Sequence, residues 1–284
     1  MKYAILSMDV EDWYHVDYFN RTQCDSSISL LDGVKIYKDI LAQHHIKSTF
    51  FVLGELVKSN KLILRELAGE GHEIASHGWE HVRPLRVMLN DFHEDLLRSK
   101  LELEDTLGIK VQGYRAPCFS LNRERLDAVS AASYLYDSSR ILFSDHPLYG
   151  KIDIHDFVQL SQNIYRKDIF FEFQVSTLSL AGRNIPVSGG GYIRIFPWFL
   201  MKNLIKKYIK HNELYVLYIH PFELSSQSSP PLPISTRWMT RKRFEVGRST
   251  VHSKLSALIM LLRNEGYSFT TFAELRNSLL KRSI

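Results

Sequence analysis

Cysteine is scarce in this chain. Only Cys24 and Cys118 occur among its 284 residues, which is too few for a disulfide framework or a thiolate metal cluster. We expect both thiols to be free and reduced, as they are in intracellular proteins. The scarcity therefore excludes the class of small secreted domains that are held together by disulfides.

Long apolar runs are missing as well. No segment approaches the roughly twenty apolar residues that a membrane-spanning helix needs. The N-terminal sequence MKYAILSMDVEDW also lacks the apolar length and the small-residue cleavage site of a secretory signal. The sequence therefore predicts a protein that stays in the cytoplasm, either free or at the inner face of the cell membrane.

Blocks of like charge and internal repeats are absent too. The formal net charge is +5, but the lysines and arginines are spread along the chain, so nucleic-acid binding is not indicated. Ordinary apolar and charged fractions argue against disorder, and the lack of a fixed period argues against a solenoid. We expect residues 1–284 to form one domain, because barrels of alternating strands and helices fill this length.

The chain does contain an alternation of strand and helix patterns. The strand pattern of YAILSMDV returns in KSTFFVLG, HEIASH, VQGYRAP, YLYDSS, DIFFEFQV and LYVLYIHP. Helical patterns separate most of these strands, which predicts a parallel sheet. About seven such units, with polar residues at several strand ends, predict a distorted, incomplete (β/α) barrel.

Two stretches interrupt the alternation. We expect an inserted hairpin within residues 143–182. The Ser- and Pro-rich SSQSSPPLPISTRWMTRKRF is expected to form a loop over the barrel mouth.

Side chains that bind metals follow two of the predicted strands. His77 and His81 in SHGWEH are four residues apart, a spacing that lets two imidazoles face one ion, although such pairs also occur as surface or capping residues. The MDVEDW strand end offers Asp9, Glu11 and Asp12 as the carboxylate of a three-ligand catalytic site. An extended strand favours Asp9 as base beside Glu11 as ligand. A turn after Asp9 favours Asp12, and an N-cap cluster is a third explanation.

Later motifs add groups for acid–base chemistry. Arg115 in GYRAP can hold a carboxylate bidentately, unless it forms only a surface ion pair. Pro117 fixes the chain ahead of the backbone N–H of Cys118, which can donate to an oxyanion. His220, at the end of LYVLYIHP, can protonate a leaving amine while Asp137 of YDSS fixes its tautomer, although a core role is commoner for a lone histidine.

Taken in order, these motifs resemble the polysaccharide deacetylase family, also called carbohydrate esterase family 4 or the NodB homology domain. The resemblance covers most of the chain. It implies that an aspartate is the base and that a late histidine is the acid. It also implies that a histidine pair and a second acidic residue together hold zinc or a similar divalent ion, such as cobalt. It implies that an arginine keeps the base ionised and that an aspartate tunes the acid. The residues at these positions are Asp9, His77, His81, Arg115, Pro117, Asp137 and His220.

The chain departs from the family pattern at two places. DVEDW replaces the usual adjacent aspartates and resembles the intracellular branch with allantoinase-like and cytoplasmic peptidoglycan deacetylase members, which favours Glu11 over Asp12 as the ligand. Cys118 stands where the family has an aromatic residue. GGGYIR and YIHPFEL resemble deacetylases of bacterial exopolysaccharide loci. The resemblance therefore implies N-acetyl removal from an amino-sugar saccharide during surface-polysaccharide synthesis.

Several residues are candidates for contact with the saccharide, since aromatic faces and arginine forks suit sugar hydroxyls, although core roles also explain them. These candidates are Trp13, Pro117, Tyr192 and Arg194. MKNLIKKYIKH fits either an outer barrel helix or peripheral membrane contact. The basic residues Arg237, Arg241, Lys242 and Arg243 fit either a solvated loop or the phosphates of a lipid- or nucleotide-linked sugar.

Two other functions remain open. The same site would suit a hydrolase of a small cyclic amide or a formamide, as in allantoinase-like relatives, and its product would be a ring-opened ureide or formate in place of acetate. A carbohydrate-binding protein without turnover is the third hypothesis, and it requires that the metal or His220 be missing from the assembled site.

Overall fold

The computed structural model describes residues 1–143, 146–180 and 182–281, which form an α/β fold around a curled, open sheet. The strands of this part of the chain are β1 Lys2–Val10, β2 Thr49–Val52, β3 Glu73–Ser76, β4 Gly113–Tyr114, β5 Tyr136–Asp137, β6 Val158–Ser161, β7 Ile164–Lys167, β8 Phe170–Phe173, β9 Thr177–Leu180, β10 Arg183–Pro186, β11 Leu214–Ile219 and β12 Tyr267–Phe269. Its α-helices are α1 Asp32–Gln43, α2 Lys61–Gly69, α3 Leu89–Leu107, α4 Arg123–Ala131, α5 Gly190–Ile195, α6 Trp198–Ile209, α7 Pro221–Leu224, α8 Trp238–Glu245, α9 Val251–Asn264 and α10 Phe272–Lys281.

Seven parallel strands follow one another through the sheet in the order β11-β1-β2-β3-β4-β5-β8, and β12 adds a further parallel pairing to β1. The path continues into β7 and β6, which are antiparallel. This arrangement confirms the predicted distorted, incomplete (β/α) barrel. The hairpin expected within residues 143–182 is β6–β7, whereas the predicted loop over the mouth contains the helix α8.

Strand β1 shows why the polar residues at the strand ends face inward. Ala4, Leu6, Met8 and Val10 pack in the large cluster with the helices, whereas Ile5 belongs to a second cluster with Phe51 of β2. Because successive side chains alternate across a strand, Asp9 lies on the face of Ile5. Phe272 and Leu275 of α10 belong to that second cluster.

The carboxyl ends of the parallel strands bring the sequence motifs to one edge of the sheet. Asp9 lies in β1, and His77, Arg115 and His220 each come directly after a strand: β3, β4 and β11. Parallel strands place these ends together. Both cysteines are free, as predicted. None of the described helices has the length and apolar character needed to cross a bilayer.

Candidate metal centre and hydrolytic site

Two histidines and one carboxylate converge beyond the ends of β1 and β3. His81 Nε2 lies 2.6 Å from Glu11 Oε2, and His77 Nε2 lies 3.9 Å from the same oxygen. One ligand atom from each of the three residues lies within 4.8 Å of the others. Two imidazole nitrogens and one carboxylate oxygen form the usual protein set of a catalytic zinc site, with one position left for water or substrate.

The electrostatics of these residues fit a bound cation. Glu11 Oε2 is buried and accepts no hydrogen bond of acceptable geometry from the described residues. Burial opposes ionisation of Glu11, but the positive charges of His81 and His220 outweigh it and lower its pKa to about 2. Burial lowers the pKa of His77 to about 4, so that its imidazole is neutral. The site therefore offers one negative charge and a neutral imidazole lone pair.

Contacts with the neighbouring backbone fix the orientation of the two imidazole rings. His77 Nδ1 lies 2.8 Å from the Arg115 carbonyl oxygen, which accepts its proton and leaves Nε2 as the free nitrogen. The turn between the histidines uses left-handed backbone at Gly78, with φ 80°, and at His81, with φ 59°. The Trp79 N–H within that turn donates to Asp95 of α3 at 3.1 Å. A strained residue held in place by its surroundings is typical of a functional site.

Asp12, the other acidic candidate, is a capping residue. Its Oδ1 accepts hydrogen bonds from the N–H groups of Trp13 and Leu30, both at 2.8 Å. Asp12 therefore begins a short 3₁₀ turn, and the prediction of Asp12 as a ligand is wrong. Glu11, which directly follows β1, is the carboxylate that lies with His77 and His81.

A buried arginine orients the candidate base. Arg115 Nη1 donates to Asp9 Oδ1 at 2.7 Å, and both side chains are buried. The guanidinium also donates to Ser7 Oγ at 2.8 Å and to the carbonyl and hydroxyl oxygens of Ser138, each at 3.0 Å. Arg115 therefore holds the Asp9 carboxylate at the cavity through one nitrogen and not bidentately, because its other donors bond to Ser7 and Ser138.

His220 faces the metal ligands from the opposite half of the chain. Its Nε2 lies 3.6 Å from Glu11 Oε1, and its Nδ1 lies 3.4 Å from Glu223 Oε2. Burial opposes a positive charge on His220, but the hydrogen bond to Glu223 and the charge of Glu11 outweigh it and raise its pKa to about 9. His220 therefore carries a proton at neutral pH.

Sequence reasoning missed Glu223, although it lies one helical turn after His220, a spacing at which side chains meet. Glu223 is buried, and its Oε2 accepts a hydrogen bond from the backbone N–H of His220 at 3.1 Å. Arg194 Nε lies 3.4 Å from Oε1. A Cβ atom on Gly190 would lie 1.9 Å from Oε2, so only glycine fits there.

The predicted partnership of Asp137 with His220 is wrong. Asp137 Oδ1 accepts the Ser139 hydroxyl at 2.7 Å, and Oδ2 accepts the Ser139 N–H at 2.8 Å. Burial raises the pKa of Asp137, and burial together with the charge of Asp137 raises the pKa of Glu172 well above its usual range. Four strands lie between β5 and β11 in the sheet order, whereas Glu223 is close in sequence.

Two of the predicted saccharide contacts are also wrong. Trp13 is fully buried, and its Nε1 donates to the Ile28 carbonyl at 2.8 Å. Arg194 borders the cavity but is 2% exposed, and it donates to Glu223 and to the Phe244 carbonyl. Tertiary packing makes both residues structural, which the sequence pattern does not reveal.

The remaining candidates are Tyr192, Pro117 and Cys118, and not all of them line the cavity. Tyr192 lines the cavity, whereas Pro117 is not among the lining residues that the structure describes. Cys118 also lines the cavity, and its backbone has a φ of 53°. Its thiol donates a hydrogen bond to Asp17 at 2.7 Å. The cavity is lined by both polar and aromatic side chains, which suits a small ligand. Its aromatic lining residues are Tyr18, Phe119, His146, Tyr149, Tyr192, Tyr218 and Phe222.

Two family models match consecutive parts of the chain. Residues 33–136 match the model described as polysaccharide deacetylase. Residues 138–277 match DUF3473, a domain of unknown function. Asp9 and Glu11 precede the first match, and His220 and Glu223 lie in the second, so the cavity draws on residues from both parts and from the segment before them.

Several known proteins are similar to part or to nearly all of the chain. The peptidoglycan-N-acetylglucosamine deacetylase PgdA of Listeria monocytogenes is 29% identical over 86 residues, which are 30% of this chain and 18% of that protein. The peptidoglycan deacetylase of Helicobacter pylori is 19% identical over 263 residues, covering 88% of this chain and 85% of that protein. The solved structure of a proposed polysaccharide deacetylase from Mycobacterium smegmatis has a TM-score of 0.64 at 17% identity and covers 100% of this chain and 92% of its own. The chain spans less than a third of the length of the first curated relatives that it matches.

Proposed function

We propose that this chain, whose residues 33–136 match the polysaccharide deacetylase model, is a metal-dependent hydrolase that removes N-acetyl groups from an amino-sugar saccharide. One observation carries the proposal. Glu11, His77 and His81 converge in a cavity that also holds Asp9, paired with Arg115. His220 lines the same cavity. A base, an acid and a metal-ligand set are thus assembled together.

The donor set favours zinc, with cobalt as an alternative, because two imidazoles and one carboxylate suit both ions. When bound by Glu11, His77 and His81, such an ion would polarise the acetamide carbonyl and increase the acidity of water. The neutral imidazole of His77 is ready to bind without losing a proton.

The protein groups then divide the proton transfers between them. Asp9, oriented by Arg115, accepts a proton from the attacking water. His220 gives the proton on its Nε2 to the amine nitrogen as the carbon–nitrogen bond breaks, and Glu223 stabilises the charged imidazole before that transfer. The backbone N–H of Cys118 is the donor assigned to the developing oxyanion. The products are acetate and a free amino sugar.

The substrate class follows from the relatives and from the cavity. The names of the Listeria and Helicobacter relatives specify peptidoglycan deacetylation, which supports an N-acetylated saccharide. Aromatic side chains around the cavity suit the faces of sugar rings. The motifs GGGYIR and YIHPFEL support a place in bacterial surface-polysaccharide synthesis, in the cytoplasm or at the inner face of the membrane. In one sheet, β1 pairs with both β2 and β11. These pairings join the N-terminal and C-terminal parts of the chain and support a single catalytic domain.

The deciding experiment measures products from a panel of N-acetylated saccharides, small cyclic amides and formamides. Protein stripped of metal by chelation is assayed before and after addition of zinc or cobalt. We expect acetate release only with metal, and only from the saccharides. Formate or a ring-opened ureide would replace this proposal with the amide hydrolase, and saccharide binding without any product would replace it with the binding protein.

A further inference from the structure

One arginine at the cavity, Arg243, makes no hydrogen bond or ion pair with the residues that the structure describes. Arg243 of α8 lines the cavity that holds Glu11 and His220. Its guanidinium carbon lies 4.8 Å from the centre of the Tyr18 ring, and Tyr18 also lines the cavity. Contact with an aromatic face orients a guanidinium while leaving its N–H donors available.

Neighbouring arginines are engaged by the protein itself. Arg241 donates to the Thr236 carbonyl at 3.1 Å, and Arg248 donates to the Phe222 carbonyl at 2.9 Å. Arg194 is engaged with Glu223. By contrast, within residues 1–143, 146–180 and 182–281 the guanidinium of Arg243 donates no hydrogen bond and forms no ion pair with a carboxylate. Of the two arginines that line the cavity, Arg194 and Arg243, it is Arg243 that keeps its donors free of the described residues.

The fold anchors Arg243 through the next residue. Phe244 is fully buried, and its ring stacks on Phe222 with ring centres 5.0 Å apart. Phe222 in turn stacks on His220 at 5.6 Å. A short aromatic chain therefore links α8 to the candidate acid and fixes the backbone from which the exposed Arg243 side chain extends.

We propose that Arg243 binds an oxyanion, a carboxylate or a phosphate, carried by the same saccharide whose acetamide is hydrolysed. The proposal rests on the proposed function and narrows its substrate to acidic or phosphorylated N-acetylated sugars. A guanidinium presents paired N–H donors that match both oxyanions. The net charge of +5 favours the approach of such a ligand.

A binding experiment tests the proposal without turnover. Calorimetric titrations of metal-stripped protein would use neutral N-acetylglucosamine, its 1-phosphate, and N-acetylmuramic acid, which carries a carboxylate. We expect at least one anionic sugar to bind about tenfold or more tightly than the neutral sugar. R243Q should abolish that preference. K242Q is the matched control, because Lys242 is exposed and pairs with Glu245 at 3.7 Å.

The comparison of the two anions identifies the source of the charge. A preference for the phosphate alone indicates a sugar linked to a lipid or nucleotide phosphate, and a preference for the carboxylate alone indicates an acidic glycan. Equal binding of all three sugars, or an anion preference that persists in R243Q, would overturn the proposal.

Turnover gives a second and separate readout. In R243Q, kcat/KM for acetate release from the preferred anionic substrate should fall about tenfold through KM, whereas the value for a neutral N-acetylated oligomer should not change. R243K should recover part of the loss, since it keeps the charge without the paired donors. An equal loss on both substrates would assign Arg243 a structural role. If no substrate yields acetate, the proposed function fails, while the binding titrations still decide the role of Arg243.

Discussion

The two halves of the site are built differently. In the N-terminal half, His77 and Arg115 follow adjacent parallel strands and are held largely by backbone and hydroxyl groups. In the C-terminal half, His220 depends on the side chain of Glu223, which depends on Arg194 and on the absence of a side chain at Gly190. We infer that the first half determines whether the reaction can occur, and that the second determines the pH and the substrate at which it occurs.

Removing a metal ligand should have the largest effect. H77A deletes one of two imidazoles, and we expect metal affinity to fall by at least about a hundredfold, with acetate release lost at equal metal concentration. Metal content of the dialysed protein and acetate release measure the two effects. H252A, an exposed histidine on α9, should retain both. Full metal occupancy in H77A would contradict the assigned centre.

The buried ion pair of the N-terminal half should dominate stability. R115Q leaves Asp9 buried without its cation, and we expect a loss of about 3–5 kcal/mol in the free energy of unfolding. R123Q removes a partly exposed arginine that pairs with Asp127 and Asp156, and it should cost about 1 kcal/mol or less. Urea denaturation measures both values. Similar losses in the two variants would show that the buried pair adds nothing beyond a surface pair.

A methyl group at Gly190 should disturb the C-terminal half alone. G190A places a carbon against Glu223 Oε2, and we expect about 1–3 kcal/mol of destabilisation and weaker acid catalysis with unchanged metal binding. Nothing lies within 4 Å of a Cβ atom at Gly69 in α2, so G69A should be neutral or stabilising by about 0.4–1 kcal/mol. If G190A lost its metal, the proposed separation of the two halves would not hold.

The smallest change should be a shift in pH dependence. Because Glu223 helps raise the pKa of His220 to about 9, E223Q should lower that pKa. The proton on His220 would then be lost at a lower pH, and the alkaline limb of the kcat/KM profile should move toward neutral pH. E245Q alters an exposed carboxylate and should leave the profile in place. An unmoved limb in E223Q would remove Glu223 from the role assigned here.

Local pattern was sufficient for the barrel and for the motifs at its strand ends. Strand periodicity and alternation place Asp9, His77 and His220 at one edge, because parallel strands share a direction. Alternation favours Glu11 over Asp12, but the choice also needed the hydrogen bonds by which Asp12 caps the backbone at Trp13 and Leu30, and alternation does not reveal them.

The errors concern contacts made by tertiary packing. Trp13 and Arg194 have side chains suited to sugars, but the fold buries both. Asp137 was assigned to His220 through the family resemblance, although the sheet separates their strands. Glu223 was within reach of sequence reasoning, since an acidic residue three positions after a histidine at a helix start commonly faces it.

The pairing of β11 with β1 has a consequence for folding during synthesis of the chain. Ser7 hydrogen bonds to Leu217 across 210 residues of chain, so the last strand of the main path must be synthesised before the first acquires this neighbour. Contacts of such long range slow folding. During translation, Glu11, His77 and His81 would be exposed on an unfinished sheet before His220 was made, and the candidate site would be complete only once β11 had joined β1.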